Sequence, residues 1–225
     1  MFNWFRNKNK IDENTPDFWR SYLAHFQQKL DKGKLLEEVD FVVFDTETTG
    51  LNTKKDRMLS IGAVRVRNNQ IDLSDTFDEL VEQKYQDKNQ QSISIHGILP
   101  VDRAKSLVEE DAVQAFLGYI GNSILVGHHV AFDVGMINES VKRMQLGKLK
   151  NRMLDTAHLA RRVEGGNSSQ PHLPYGLDEL CQKYKISPSD RHTAAGDAYL
   201  TAILFMKLLH KIKKRGIRNL ADLLR

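Results

Sequence analysis

The strongest constraint on the fold is a short apolar run, from Phe41 to Phe44, that ends in two carboxylates, Asp45 and Glu47. Consecutive large apolar residues in a run of this length are typical of a strand that is buried on both faces. Residues two positions apart on a strand point to the same face, so the two carboxylates are expected to lie side by side. The run therefore predicts the central strand of a sheet, with a polar corner at its end.

The pattern elsewhere predicts a sheet covered by helices. Segment 58–67 alternates apolar and polar residues, Asn68 and Asn69 signal a turn, and segment 71–77 completes a hairpin. Short apolar runs at 124–126 and 153–154 predict two more buried strands. Because a hairpin is followed by strands that alternate with helices, we expect an α/β protein of three layers with a mixed sheet. Helices are predicted at about 133–144, 156–162, 176–184 and 193–214.

Composition excludes several classes of protein. The 225 residues suffice for one domain, and 40% hydrophobic with 28% charged residues is typical of folded, soluble chains. The single cysteine, Cys181, excludes an internal disulfide framework and a cysteine-based zinc cluster. No apolar run approaches the roughly 18 residues that span a bilayer, and the start lacks the apolar core of a secretory signal. We therefore expect a cytoplasmic enzyme or binding protein that has no membrane partner.

The chain is expected to divide into a helical appendage at 1–39, a main domain at 40–210 and a basic tail at 211–225. In the appendage, a helix is predicted to begin at Thr15-Pro16 and to end at Gly33, with an apolar stripe that packs on the main domain. From residue 207 onward there are seven basic residues and one acid. Such an end suits a polyanion such as nucleic acid, although the solvated face of a last helix explains it equally well.

The paired carboxylates Asp45 and Glu47 are the first candidate for chemistry. Two carboxylates a few ångströms apart at the end of a buried strand repel each other and resist joint ionisation. A hard divalent cation with oxygen ligands would compensate them. The alternative interpretation is an ordinary polar corner at the end of a strand.

Two later segments carry further candidates. Asp133 follows the predicted strand at 124–126, at the strand end where open α/β sheets bind ligands, although helix starts also favour acids. Asp197 lies in the second turn of a helix that Thr193 would cap, and His192 stands just before it. A histidine in that position is otherwise a solvated loop residue.

Together these segments supply four carboxylates from three distant stretches, each at a predicted strand end or helix start. This count suits a pair of Mg²⁺ or Mn²⁺ ions, the arrangement that clamps the attacking and leaving oxygens in phosphodiester cleavage. His192 would then act as a base near neutral pH that takes a proton from the attacking water. The residues therefore predict metal-assisted phosphoryl hydrolysis.

The three segments, in this order, resemble the motifs of the DEDDh 3′→5′ exonucleases, a DnaQ-like family that includes the proofreading epsilon subunits of bacterial DNA polymerase III. The first motif is matched by 45–51, the second by 128–133 and the third by His192 with Asp197. The resemblance implies a ribonuclease-H-like fold, a five-stranded mixed sheet flanked by helices. It also implies removal of nucleoside 5′-monophosphates from the 3′ end of DNA, in proofreading, repair or end trimming.

The resemblance also implies roles for individual residues. Asp45, Glu47 and Asp197 would hold one ion, and Asp45 with Asp133 would reach the second. The residues that would contact the terminal nucleotide are the Thr48 and Thr49 backbone, Leu51 as a wedge, Phe132 as a stacking surface and His96 near the sugar. For Leu51 and Phe132, ordinary core packing is the alternative.

Some features depart from the family pattern or leave alternatives open. His129 stands where an asparagine is usual, which puts the hydrogen bonds of that loop in doubt. An RNA-trimming exonuclease of the ribonuclease T or oligoribonuclease kind would use the same carboxylates, and a catalytically idle nucleic-acid-binding or polymerase-scaffold module is the alternative outside enzymes. A DNA polymerase or sliding clamp is a possible partner, the latter because segment 170–175 faintly resembles a clamp-binding peptide.

Overall fold

A computed structural model describes residues 13–82, 106–165, 175–188 and 190–225. Five strands form one sheet in the order β3-β2-β1-β4-β5, in which β3, β2 and β1 are antiparallel neighbours and β1, β4 and β5 run parallel. The predicted α/β class and the five-stranded mixed sheet are therefore confirmed. The strands are β1 (Phe41–Thr48), β2 (Met58–Arg67), β3 (Gln70–Leu80), β4 (Ile124–Gly127) and β5 (Met153–Asp155).

Helices cover both faces of this sheet. Along β1, Phe41 and Val43 belong to one hydrophobic core and Val42 and Phe44 to the other, as the two-residue period of a strand requires. The first core is closed by α4, α5, α6 and α7, and the second by α1, α2 and α3. The described helices are α1 (Asp17–Ala24), α2 (Glu109–Ile120), α3 (Ala131–Arg143), α4 (Thr156–Glu164), α5 (Leu177–Lys183), α6 (Ala194–Lys214) and α7 (Leu220–Leu223), with a 3₁₀ turn at Leu36–Glu38.

The hairpin between β2 and β3 forms where the sequence predicts it. Asn68 and Asn69 connect the strands with φ angles of 51° and 59°, the left-handed conformation that a two-residue hairpin turn demands. Asparagine adopts this conformation more readily than most residues, because its short polar side chain can bond locally. The second arm runs to Leu80, beyond the predicted end at residue 77.

The first helix is shorter than predicted, because α1 ends at Ala24 and not at Gly33. Beyond Ala24, the Phe26 amide donates to the Leu23 carbonyl at 3.1 Å, so the hydrogen bonds shift to the tighter i→i+3 pattern. The apolar stripe packs on the main domain as expected, since Trp19 and Tyr22 are each 2% exposed.

Helix α2 is absent from the sequence-based prediction, although its pattern is present. Buried residues recur along Glu109–Ile120 at helical spacing, and three acids occupy the first turn. Its Phe116 packs against Phe44 of β1, with 5.2 Å between the ring centroids. The helix therefore covers the face of the sheet opposite α6.

The segment that precedes β1 is hydrogen-bonded to the segment that follows α6. The Leu36 amide donates to the Arg218 carbonyl at 2.9 Å, and the Leu220 amide donates to the Lys34 carbonyl at 3.0 Å. Residues 211–214 form the last turn of α6. The division at 39/40 and 210/211 stays a prediction. None of the described helices is long and apolar enough to cross a membrane.

One glycine determines how closely α6 approaches the sheet. Gly62 of β2 stands opposite Asp45 of β1 in the antiparallel register. A Cβ atom at Gly62 would lie 2.2 Å from the main chain of Ala194, at the start of α6. Only a residue without a side chain permits this contact. The start of α6 is thereby held directly over the carboxyl end of β1.

Candidate active site

Three carboxylates meet at the corner that β1 and α6 form. Asp45 and Glu47 project from β1, and Asp197 projects from the first turn of α6. One carboxylate oxygen from each residue lies within 4.8 Å of the other two. The helix start is fixed by Thr193, whose hydroxyl accepts a hydrogen bond from the Gly196 amide at 3.1 Å. The site therefore rests on two rigid elements.

This arrangement is electrostatically unfavourable without a cation. Burial raises the pKa of Asp45 well above its usual range, and the charges of Asp133, Asp197 and Glu47 raise it further. Arg191 opposes this shift with a smaller effect. Clustered carboxylate oxygens are the ligand set that hard divalent cations prefer. The three residues thus fit a metal ion chemically as well as geometrically.

Asp133, from α3, is hydrogen-bonded to β1 next to the same corner. It lies in the first turn of α3, is 4% exposed and accepts hydrogen bonds from Thr46, at 3.1 Å from the amide and 2.7 Å from the hydroxyl. Burial raises its pKa to about 7, outweighing these two bonds, which lower it. Asp133 is not one of the three clustered carboxylates, but it is bonded to the residue between Asp45 and Glu47.

Arg191 is a component of the site that sequence reasoning missed. Its guanidinium forms ion pairs with Asp197 and, at 2.6 Å, with Asp178 at the start of α5. The Arg191 side chain is 18% exposed and that of Asp197 is 10% exposed, so this pair is largely shielded from solvent, whereas Asp178 is exposed. No sequence spacing links residues 178, 191 and 197. Thr46 was missed for a similar reason, since nothing local marks it as a partner of Asp133.

His192 lies on the exposed turn that leads into α6. Its backbone adopts the left-handed conformation, with φ at 65°. The pKa of Asp178 is lowered mainly by the hydrogen bond from Arg191, and the neighbouring His192 contributes to the same shift. The structure thus places His192 next to the arginine that binds Asp197. Its role as a base stays a prediction.

The loop after β1 is fixed by internal hydrogen bonds. The Thr48 hydroxyl donates to the Gly50 carbonyl at 2.8 Å, and the Thr49 amide donates to the Arg57 carbonyl at 2.9 Å. The Thr49 hydroxyl donates to Asp56 at 3.1 Å. The Thr49 amide, predicted to donate to the 3′ end, is therefore already bonded within the loop. The role of the two threonines in substrate binding stays a prediction.

The predicted nucleotide contacts differ in exposure. Leu51 is 88% exposed, which removes core packing as an explanation for it. Phe132 is half-buried and packs against the second core. His96 and the clamp-like segment 170–174 lie outside the described residues. Tyr175, at the end of that segment, donates a hydrogen bond to Glu164 at 2.8 Å.

The histidine pair at 128–129 links the loop after β4 to α4. His128 Nδ1 lies 2.9 Å from the Thr156 hydroxyl, and the two histidine rings lie 4.5 Å apart. Burial, with the charge of His129, lowers the pKa of His128 to about 4, so His128 is neutral at physiological pH. His129 itself is exposed and left-handed, with φ at 58°. An asparagine would suit that backbone, and the histidine adopts it too.

Comparison with solved structures shows which proteins share this fold, and nucleases are among them. *E. coli* exonuclease I in complex with a dT13 oligonucleotide superposes with a TM-score of 0.64 and 20% identity, over 80% of this chain and 43% of that one. Cell-death related nuclease 4 superposes with a TM-score of 0.64 and 11% identity, over 77% and 64%. These likenesses establish a ribonuclease-H-like fold.

The sequence establishes the family. The model of the RNase T exonuclease family matches residues 42–205, which include all four predicted carboxylates and His192. The chain belongs to this DnaQ-like exonuclease family. The matched region runs from the second residue of β1 into α6, so it contains every element that forms the site.

Curated relatives include DNA polymerases. The PolC-type DNA polymerase III of *Staphylococcus haemolyticus* is 28% identical over 188 residues, and that of *Staphylococcus aureus* is 28% identical over 185 residues. These alignments cover 84% and 82% of this chain but only 12% of either relative. The similarity is therefore to one portion of a much longer polymerase.

Proposed function

We propose that this protein is a metal-dependent 3′→5′ exonuclease that hydrolyses the terminal phosphodiester bonds of DNA and releases nucleoside 5′-monophosphates. The observation that carries the proposal is the convergence of Asp45, Glu47 and Asp197, whose oxygens lie within 4.8 Å of one another in an exonuclease-family chain. Asp133, bonded to Thr46 beside them, supplies the fourth carboxylate.

The carboxylates would hold two Mg²⁺ or Mn²⁺ ions, with Asp45, Glu47 and Asp197 around one and Asp45 with Asp133 around the other. Bound divalent ions supply Lewis-acid stabilisation of the charge that develops on the phosphate oxygens. A solved form of *E. coli* exonuclease I with single-stranded DNA is described as zinc-bound, which supports a metal site in this fold. Burial first, and then the neighbouring carboxylates, raise the pKa of Asp45, and a bound cation would oppose this shift.

The side chains around the cluster perform the other tasks in this proposal. His192, exposed on the turn before α6, accepts the proton of the attacking water. Leu51, at 88% exposure beside the end of β1, contacts the terminal base, and Phe132 stacks on it. Arg191 holds Asp197 in place through its ion pair.

DNA is proposed as the substrate because of the relatives. The curated matches are DNA polymerases of the PolC type, and one solved neighbour is described with a dT13 oligonucleotide. Both point to deoxyribonucleotide strands. The likeness to a portion of a polymerase also supports work beside a DNA polymerase, in proofreading, repair or end trimming. A sliding clamp as partner stays a prediction.

The test is degradation of matched oligonucleotides. A single strand of DNA, a duplex with a mismatched 3′ end and an RNA of the same sequence are each labelled at the 5′ end and incubated with Mg²⁺ or Mn²⁺. Wild type is expected to shorten the DNA strand stepwise from its 3′ end, with 5′-monophosphates as products. EDTA, Asp45→Asn and His192→Gln should each suppress this shortening.

The control variant is Asp72→Asn, which removes a carboxylate far from the cluster and should keep full activity. Faster shortening of RNA would replace DNA by RNA as the substrate. Equal degradation by wild type and Asp45→Asn would show a contaminating nuclease and overturn the metal assignment. If the protein bound the oligonucleotides but hydrolysed none of them with either metal ion, it would be a catalytically idle nucleic-acid-binding module.

A further inference from the structure

Several basic residues on and around the C-terminal half of α6 fall into two groups in the structure. Members of the first group are engaged within the protein: Lys213 pairs with Glu37 at 2.9 Å, and the Arg215 guanidinium donates to main-chain carbonyls at 162 and 163. These charges stabilise the contact between α6 and its neighbours. They are therefore poor candidates for binding an external polyanion.

The second group lines an open groove of about 470 Å³ between α6 and the end of α5. We call it the lysine groove. Its lysines are exposed, whereas its apolar residues are buried or half-buried beneath them. The lysines are Lys183, Lys185, Lys207 and Lys211, and the apolar residues are Met206 and Tyr184.

Little within the protein compensates these charges. Lys183 pairs with Glu164 at 2.5 Å, and the Lys211 ammonium lies 4.5 Å from the ring centroid of Tyr184. Lys185 and Lys207 form no ion pair with any residue in the ranges that the structure describes. Three uncompensated positive charges therefore remain in one groove, against a net charge of +4 for the whole chain.

The charge and the openness of the groove favour an extended anionic ligand. No acidic residue lines it among the described residues. A group of lysines without neighbouring acids attracts phosphate groups electrostatically, and this attraction does not depend on the nucleotide sequence. The buried ring of Tyr184 supports Lys211 from below and leaves little aromatic surface for a base. The groove therefore suits the backbone of a nucleic acid.

We propose that the lysine groove binds the sugar–phosphate backbone of the nucleic acid whose 3′ end occupies the carboxylate site, several nucleotides away from that end. The proposal rests on the proposed function in taking nucleic acid as the ligand. It adds a second anchoring point that would position long substrates.

The helix that carries both sites sets the distance between them. Lys207 and Lys211 lie ten and fourteen residues beyond Asp197 on α6. At 1.5 Å per residue, the separations along the axis are about 15 and 21 Å. Phosphates in a stacked strand repeat about every 3.4 Å, so the groove lies about four to six nucleotides from the site. A trinucleotide should be too short to contact it.

The experiment measures binding of a labelled 20-mer and a labelled trimer of deoxythymidine by fluorescence anisotropy, in EDTA and between 50 and 200 mM salt. The test variant is Lys185→Gln with Lys207→Gln. The matched control is Lys29→Gln with Lys148→Gln, two exposed lysines in segments that pack on the opposite face of the sheet. Both double variants remove the same charge, so only its location differs.

For the 20-mer, loss of two phosphate contacts should reduce the slope of log affinity against log salt by about 1.4. Over this fourfold salt range, wild-type affinity should then fall about sevenfold more than that of the test variant. The control variant should keep the wild-type slope, and the trimer should bind all three proteins equally.

An unchanged slope in the test variant overturns the proposal, since the lysines would then be a solvated helix face or a site for an acidic protein. An equal change in the control variant overturns it as well, because the effect would be one of net charge. Since binding is read without turnover, a lowered slope supports the groove even if wild type hydrolyses neither strand. Failure of the groove and failure of the proposed activity are thus separate results.

Discussion

Two clusters of charge in this protein have opposite electrostatics. On the β2–β3 hairpin, Arg67 pairs with Asp72 at 2.6 Å, and the pKa of Asp72 is lowered to about 2, by the Ser74 hydroxyl first and by Arg67 next. In the candidate active site, burial raises the pKa of Asp133, in the first turn of α3, to about 7. The same functional group is thus stabilised as an anion in one region and destabilised in the other.

The difference separates charges that serve the fold from charges that serve chemistry. Hairpin carboxylates have positive partners of their own, so their ionisation favours the folded state. In the candidate active site, Arg191 pairs with Asp197. The Asp45 and Glu47 carboxylates lie close to Asp197, within the same cluster. Such a cluster reduces the stability of the metal-free protein, and in the proposed function a bound cation would offset that loss.

The largest expected effect comes from removing a charge at the cluster. Asp45→Asn should lower the exonuclease rate about a thousandfold or more, because metal stabilisation of the transition state is worth several kcal/mol. The same change should raise the melting temperature of the metal-free protein, since it removes a buried carboxylate among like charges. Activity assays and thermal unfolding in EDTA measure the two effects. A fall in both the exonuclease rate and the melting temperature would show that the Asp45 carboxylate does not destabilise the metal-free protein.

The second prediction concerns pH. The pKa of Asp133 is raised in the folded state, so its contribution to stability is complete below its unfolded value of about 3.8 and is lost as the pH rises through 7. The contribution of Asp133 to the free energy of unfolding of the metal-free protein should therefore fall by on the order of 4 kcal/mol between pH 4 and pH 7. Urea unfolding in EDTA at a series of pH values measures this fall.

Asp133→Asn is the matched variant for that series, and the difference between its pH profile and that of wild type isolates this contribution from that of His128, whose lowered pKa acts in the opposite direction. Asp72 should behave in the opposite way, because its pKa is lowered: its contribution is present above pH 4 and is lost as the pH falls through 2. If Asp133→Asn kept the wild-type pH profile, the buried Asp133 carboxyl would not contribute to the pH dependence of stability.

A bound metal ion should offset the loss of stability that the clustered carboxylates cause. At a hundredfold excess over its dissociation constant, Mn²⁺ should raise the free energy of unfolding by about 2.7 kcal/mol at pH 7. Asp45→Asn should lose most of this gain, whereas Asp72→Asn should keep it. Urea unfolding with and without Mn²⁺ gives the comparison, and equal gains in both variants would place the metal elsewhere.

The smallest effect is expected at the hairpin. The Arg65 guanidinium is 14% exposed and donates to Asp75 at 2.7 Å, to the Tyr119 carbonyl at 2.8 Å and to the Ser123 hydroxyl at 3.1 Å. Arg65→Met should cost about 2 kcal/mol of stability, because it removes the guanidinium that donates to the Tyr119 carbonyl and the Ser123 hydroxyl and leaves Asp75 with Arg67 alone. Activity per folded molecule should stay at the wild-type level. Arg67→Gln is the exposed control and should cost less than about 1 kcal/mol.

Much of the fold could be predicted from sequence because the relevant signals are local. The alternation of Phe41 to Phe44 between two cores follows from strand geometry, and the turn at Asn68 follows from the backbone preference of asparagine. Helix α2 had the same kind of signal in its buried spacing and acidic first turn, and it was overlooked. The premature end of α1 had none, since nothing in the sequence before Gly33 requires the helix to stop at Ala24.

For the candidate site, the sequence by itself determined the candidates for chemistry: four carboxylates and a histidine, each at a predicted strand end or helix start. Their arrangement was decided only by the tertiary structure, through contacts between residues far apart in the chain. Gly62 admits α6 onto β2, Thr46 binds Asp133, and Arg191 pairs with Asp197. Spacing within a strand or helix fixes which side chains share a face, but it carries no information about which distant element packs there.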